Sequence, residues 1–388
     1  MRVVFLVTRF PVPPWRGDQI RAYHHLRLLA PRHDVTCVAL VGRAPPPAAV
    51  AEVEAMGARV VLVPLGVAGA LPALARALVG DRRPFQALLY ARPGARRRVA
   101  ALVAGADVVH AQLVRTLAYL PAHRPPAVVV DLIDALSRNF ARRARRERGP
   151  VAAVFAWEAA RVRAAEAELL RSATCLVVSE SEREALGGAA TARVVPNGVD
   201  TTAFAFREDG RPPARVVFGG NLGYFPNVDA ATWLARDIVP RIRATVPAAE
   251  LRLVGARPAR AVRALAAPGV SIAASVPAMA PELAAATVAV VPLRAGSGLQ
   301  NKILEAMAVG TPVVATARAV AGLAVCADEH VLVAEDADAI AAATVALLRD
   351  PARARTLARA ARELVERRYR WEASAEAVEA AWMAAGAP

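Results

Sequence analysis

Lys302 and Glu305 are the two residues of this chain whose types and spacing most plainly suggest chemistry. Lysine and arginine together number 49, and Lys302 is the one lysine among them. A lysine kept where arginine otherwise serves as the cation points to a need for a compact point charge, which a planar guanidinium fork does not supply. Upstream, the apolar run Val288 to Leu293 predicts a buried parallel strand. Gly296 and Gly298 predict a turn, and Ser297 with Gln300 reads as a capping box starting a helix near Gly298. Gly310 and Pro312 end that helix, and Pro312 to Ala315 predicts the next strand. Free N–H groups at such a helix start form a phosphate cradle. A cation in the first turn disfavours the helix itself by ~0.3–1 kcal/mol, a cost that an external anion would offset. Glu305 shares the Lys302 face. Its carboxylate can accept from two adjacent hydroxyls, as on a ribose. The alternative for the pair is an i,i+3 salt bridge on a solvated helix.

The segment Leu299 to Ala315 resembles the nucleotide-binding segment of family 4 retaining glycosyltransferases, which have the GT-B fold. The segments Arg2 to Val7, Asp107 to His110, Val195 to Asp200 and Leu251 to Gly255 fall in the order such proteins show. More narrowly, Arg16 to Arg21, Tyr224 to Asp229 and Gly298 to Lys302 are similar to a bacterial subgroup of sugar transferases associated with exosortase and exopolysaccharide systems. The resemblance implies transfer of a sugar from a nucleoside diphosphate sugar, with UDP as the expected base carrier, to a hydroxyl acceptor with retained configuration. It implies no cofactor and no metal, because protein cations take the metal's role.

The resemblance also distributes roles. Lys302 and Arg294 are the expected diphosphate cations, and Ser297, Gly298, Leu299, Gln300, Asn301 and Glu305 the expected donor-binding segment. Ser297 stands where relatives often carry a glutamate contacting the donor sugar. Relatives also place an Arg and a Lys near the strand opening the second domain, where this chain has Gly220 and Asn221. Asn221 and Asn227 are candidate neutral donors, and the base is expected near Gly255 to Arg257 and Val276 to Pro277. In the N-terminal loop Gly17, Asp18 and Arg21 carry over as contacts to diphosphate or acceptor; capping the following helix is the alternative for Asp18. His110 ends a strand at its carboxyl end, where catalytic groups of such sheets lie. Relatives show His-x-His there, and Gln112 stands at the second position. Asp131 and Asp134 follow another strand and are acceptor-orienting candidates, with strand-end capping as the alternative.

The elements that must position these residues alternate along the chain. Apolar runs separated by helical stretches predict an α/β architecture with doubly wound parallel sheets. The pattern restarts at Arg215, so residues 1–205 form an expected acceptor-side Rossmann-like domain and 206–370 a nucleotide-sugar domain. The hinge is expected between Asp200 and Pro213, with the ligand in the cleft the two domains face. A final helix over about 371–388 is expected to pack back on the first domain.

Composition agrees. The hydrophobic fraction of 56% allows two cores, and no long apolar run reads as a membrane span. The start of the chain does not fit a cleaved signal peptide. Cys37, Cys175 and Cys326 read as buried free thiols of a reducing cytoplasm. The net charge of +15 favours anionic partners: nucleotide sugars, an anionic membrane surface or nucleic acid. Part of it is concentrated at Arg138 to Arg148, which reads as a solvated arginine-rich helix or as an acceptor-side or peripheral membrane-side patch. No stacking platform accompanies the arginines, which argues against nucleic acid. Asp336-Ala-Asp338 precedes a helix and reads as a cap rather than a metal motif. Two rival readings are a nucleotide-sugar epimerase of similar architecture and a non-catalytic scaffold binding anionic surfaces.

Overall fold

The computed structural model describes residues 1–66, 70–121, 126–296 and 298–386. Every strand pair within its two sheets is parallel, as continuous Val/Leu/Ala runs require when helices cover both faces. The first sheet contains β1 (Arg2–Val7), β2 (Asp34–Val41), β3 (Arg59–Pro64), β4 (Val108–Gln112), β5 (Ala127–Ile133), β6 (Thr174–Val177) and β7 (Ala192–Val194). Its order is β3-β2-β1-β4-β5-β6-β7. The second contains β8 (Arg215–Gly219), β9 (Glu250–Gly255), β10 (Val270–Ala274), β11 (Val288–Val291), β12 (Val313–Ala315) and β13 (Leu332–Val333). Its order is β10-β9-β8-β11-β12-β13. Both sheets therefore reverse direction of winding once, at β1/β4 and at β8/β11, the places where doubly wound sheets bind ligands.

The chain divides into one unit of residues 1–196 with 374–388 and another of residues 197–373. This corrects the boundary expected at 205/206, and the segment expected to be a hinge belongs to the second unit. Val199 N–H donates to Tyr369 O at 2.7 Å, and Arg207 N–H donates to Val309 O at 3.1 Å. Arg211 donates to the carbonyls of Ala284, Ala286 and Val309 and to Thr311 Oγ1. A polar, proline-bearing stretch looks like a linker by composition; here its arginine satisfies the carbonyls left over where elements end.

The helix Trp371–Gly386 contributes its residues from Ser374 onward to the first unit. Trp382 is fully buried there, in the core that includes Val3, Phe5, Leu26 and Val108. Its indole donates to His110 Nδ1 at 3.0 Å. Ser374 Oγ donates to Pro196 O at 2.7 Å and pairs with His25 Nε2 at 3.0 Å. Among the described residues no helix is long and apolar enough to cross a membrane. Cys37 and Cys175 are buried free thiols, whereas Cys326 is exposed, because the turn after residue 323 carries it to the surface. Trp382→Ala removes a filled core volume and the His110 partner together. It should cost about 3–5 kcal/mol of stability, read by denaturant unfolding of the full chain.

Candidate active site

The glycine turns at the ends of β8 and β9 lie back to back. Gly220 N–H donates to Val254 O and Leu222 N–H to Ala256 O, so the ladder continues past the strand ends. Gly220 (φ 139°) and Gly255 (φ 146°) adopt backbone that L side chains rarely enter. A Cβ on Gly255 would stand 1.7 Å from Gly220 O, and one on Gly220 would stand 2.9 Å from Lys302 Nζ. Gly255 is thus bare because backbone fills the space beside it, whereas at Gly220 the positive φ excludes a side chain and the lysine tip could move aside. Asn221 Oδ1 accepts from Gly223 N–H at 3.1 Å, and Asn221 O accepts from Asn227 Nδ2 at 2.9 Å.

Lys302 projects onto this backbone from the helix Asn301–Ala308. Its ammonium donates to Asn227 Oδ1 at 2.5 Å and lies 4.5 Å over the Phe218 ring. Among the described residues no carboxylate comes within ion-pair distance of it. Burial pushes the lysine down to about 7, partly offset by Glu305. The same burial pushes the Glu305 carboxyl up to about 7, partly offset by Lys302. The i,i+3 salt bridge is therefore not closed. Glu305 is half-buried, and among the described residues its carboxylate forms no ion pair with Lys302. The pair holds a cation and an acceptor in reach of a ligand, each destabilised in its charged form until one arrives.

The helix starts at Asn301 with Gln300 at its N-cap and no side-chain cap, so it begins later than expected near Gly298. Positive φ at Gly296 and Gly298 keeps that stretch out of the helix. Gln300 Nε2 reaches back to Gly298 O at 3.5 Å, and Leu299 packs on the core. Ser297, the other half of the expected capping box, lies outside the described residues. Asn301 Oδ1 accepts from Asn197 Nδ2 at 3.1 Å, which ties the helix start to the Asn197-Gly198 turn. Arg294 departs from its expected role as a second diphosphate cation. Asp229 holds its guanidinium by two contacts, at 2.6 and 3.1 Å, and it lies 4.7 Å over Trp233. Asp229 is a partner that the sequence spacing did not reveal.

In the first unit the strand-end candidates turn inward. His110 is fully buried, stacked on Phe5 at 4.4 Å, with Nδ1 accepting from Trp382. Its Nε2 therefore carries the proton, and burial pushes its pKa down to about 4. That corrects its expected catalytic role: it is a neutral core histidine. Arg21 and Asp131, expected to meet the acceptor, are fully buried and bound to each other at 2.5 Å, and Arg21 Nη1 donates to Val195 O. Gln112 is buried and donates to Asp18 O at 3.0 Å. Asp18 does not cap the helix Gly17–Leu29; Arg16 occupies the cap position, and Asp18 pairs with Arg9 at 2.6 Å. Gly17 has open space around its Cβ direction. Asp134 alone of the strand-end carboxylates stays partly exposed, just past the strained Ile133 (φ 66°). Burial, then the neighbouring Glu182 charge, pushes its carboxyl up to about 7.

Asn227 supplies an acceptor for Lys302 rather than the donor expected of it, and Phe218 and Asp229 were not anticipated. Val276 and Pro277 fall in the connection between β10 and the helix Met279–Ala284. Asp336 caps the helix Ala337–Arg349 by accepting from Ala339 N–H at 2.7 Å, and Asp338 pairs with Arg241 at 2.7 Å. Cys326, Glu329 and His330 bring three ligand-type atoms within 4.8 Å of one another. Cys326 N–H already donates to His330 Nδ1, so the Nε2 facing that group carries the proton.

This fold is that of the GT-B glycosyltransferases. Sucrose-phosphate synthase from Thermosynechococcus elongatus matches at 19% identity over 98% of both chains, with a TM-score of 0.73. HepE from Anabaena, in complex with UDP and glucose, matches at 14% identity over 98% of both chains, with a TM-score of 0.68. WaaG, a glycosyltransferase involved in lipopolysaccharide biosynthesis, matches at 15% identity over 97% of this chain and 99% of that one, with a TM-score of 0.67. At such identities the likeness is one of fold. Residues 213–350 match the family described as glycosyl transferases group 1. The second unit thus carries a group 1 glycosyltransferase domain, and the chain is a transferase enzyme. No curated protein matches the sequence.

Gly255→Ala forces a methyl into Gly220 O, so the turns must separate. The backbone conformation alone costs about 1–3 kcal/mol, and equilibrium unfolding should show at least that loss. Gly17→Ala, with nothing near its Cβ, should change stability by less than about 1 kcal/mol.

Proposed function

We propose that the chain is a family 4 retaining glycosyltransferase that moves a sugar from a UDP-sugar to a hydroxyl acceptor without a metal. The observation carrying this reading is the buried Lys302 ammonium, held over bare glycine backbone with no carboxylate partner among the described residues. A diphosphate offers such a cation the anion it lacks, and the first turn of the helix Asn301–Ala308 adds free N–H groups. Glu305, one turn on, accepts from the two ribose hydroxyls. UDP is the favoured carrier because HepE is known as complexes with UDP and UDP-glucose. The narrower motifs support placement with the exopolysaccharide-associated subgroup.

The demanding step is departure of the nucleotide, whose leaving oxygen gains negative charge. Lys302 stabilises that charge in a pre-formed position, so little reorganisation is needed as the bond breaks. The acceptor hydroxyl attacks on the face the nucleotide leaves, which retains configuration without a protein nucleophile. Its proton passes to the departing phosphate. Asp134, a half-buried strand-end carboxylate of the first unit, is proposed as the acceptor-side group.

A thermal-shift panel of UDP, GDP, ADP and TDP, with and without EDTA, tests the donor site. UDP should stabilise the wild type equally with EDTA present, and the shift should fade in Glu305→Ala. No shift with any nucleotide would overturn the reading. Lys302→Ala should lose a charge-assisted bond worth ~1.5–3 kcal/mol, or roughly 10- to 150-fold in kcat. Lys302→Arg should not restore it.

Titration adds a second check. Lys302 must be protonated to hold the diphosphate, and its pKa is lowered to about 7 in the free protein. UDP affinity should therefore fall as pH rises above about 7, by up to about tenfold per unit. In Lys302→Met that fall should vanish. If affinity is flat with pH in the wild type, the ammonium is not the diphosphate's partner.

A further inference from the structure

The long helix Gly149–Ser172 buries Ala159, Val162 and Leu169 along its second half. Its first turns are different. Val151, Val154 and Trp157 recur every third residue and are 49%, 60% and 40% exposed. Immediately before them, residues 138–148 hold six arginines and one glutamate. Arg138 is tied inward to Glu182 and to Ser181 O, while Arg143, Arg145, Arg146 and Arg148 are exposed. The helix Leu136–Ala144 that carries the first of these packs on the long helix. Phe140 stacks on Phe155 at 6.0 Å, and the Arg143 guanidinium lies 4.3 Å over Phe155. Arginines and apolar side chains are thus fixed on one surface rather than scattered.

A second apolar strip is tied to the first. The helix Ala70–Leu78 buries Ala73 and Ala77 against Leu88, yet Leu71 is 79% exposed and Val79, just beyond the helix, is 87% exposed. Arg161 lies 4.3 Å over Trp157 and donates to the carbonyls of Asp81 and Arg83. Glu158 accepts from Phe85 N–H at 2.8 Å. These bonds lock the 81–85 connection, with exposed Arg82, against the Trp157 turn.

We propose that this face of the first unit, Val151, Val154, Trp157 and Leu71 with Arg143, Arg145, Arg146 and Arg148, docks on the surface of an anionic lipid bilayer. Charge complementarity selects that partner. Arginine guanidiniums pair with lipid phosphates, and each basic residue near such a surface adds favourable energy within a Debye length. Trp157 with a cation over its ring is an amphipathic group suited to headgroup depth, and the Val and Leu side chains reach the acyl boundary. Neither weak signal anchors a protein alone; the two together do. None of these residues is assigned to the donor site, so the inference stands apart from the reading of the reaction.

Sedimentation of the full chain with vesicles tests it, using phosphatidylcholine alone and phosphatidylcholine mixed with phosphatidylglycerol. The wild type should sediment only with the mixed vesicles. Replacing Arg143, Arg145 and Arg146 by Gln should weaken partitioning on the order of 100-fold. Replacing Val151, Val154 and Trp157 by Ser, all exposed and so compatible with folding, should also release the protein while leaving its melting midpoint near wild type. Replacing Arg355, Arg367 and Arg368 by Gln removes equal charge from the second unit and should leave binding intact. Wild-type binding by the Ser variant, or equal weakening by the two arginine triplets, would show attraction by net charge alone and overturn the proposal.

Discussion

The second unit is organised around one electrostatic constraint: a lysine ammonium is held among protein atoms with no carboxylate within ion-pair distance among the described residues. Such a charge costs free energy unless something polar meets it. Asn227 Oδ1 and the Phe218 ring meet it in part. The rest of the local structure follows. Gly220 holds a positive φ beside the lysine tip, and Gly255 has no room for a side chain because Gly220 O fills it. The helix start is delayed to Asn301, with Gln300 at its N-cap and no side-chain cap. Asn197 clamps that start from the other side. The downward push on Lys302 and the upward push on Glu305 are two signs of one burial.

The first unit solves its own strand ends in the opposite way. Where β1, β4 and β5 end, Arg21 bonds to Asp131 and to Val195 O, His110 accepts from Trp382, and Gln112 donates to Asp18 O. These are the polar residues a doubly wound sheet places at its carboxyl edge, but here they hold together the core that the last helix completes. Past them, Ile133 takes a left-handed conformation, β5 shifts register against β6, and Asp134 is half-buried.

Much of the fold was readable along the chain. Val/Leu/Ala runs separated by helices specify parallel strands: the runs expected at Val288 to Leu293 and Pro312 to Ala315 give the strands Val288–Val291 and Val313–Ala315, and the pattern restarts at Arg215. The Lys302–Glu305 spacing was likewise legible, because a helix fixes what lies three residues apart. The boundary at Pro196/Asn197 was not legible, since a polar segment looks like a linker whether or not its arginine finds carbonyls elsewhere.

The sequence by itself therefore determined the alternation of elements, the bare glycine turns and the single lysine set one turn before a glutamate. Local periodicity and backbone stereochemistry are enough to specify these. Only the tertiary structure decided which polar residues remain available. Arg294 is neutralised by Asp229 from 65 residues away, and His110 is sealed by Trp382 from 272 residues away. Lys302 meets Asn227, Phe218 and the Gly220 turn, and no carboxylate within ion-pair distance among the described residues. A side chain's charge is written in its own residue, but its partners are set by packing across distant segments, and in this chain partnership separates a binding group from a structural one.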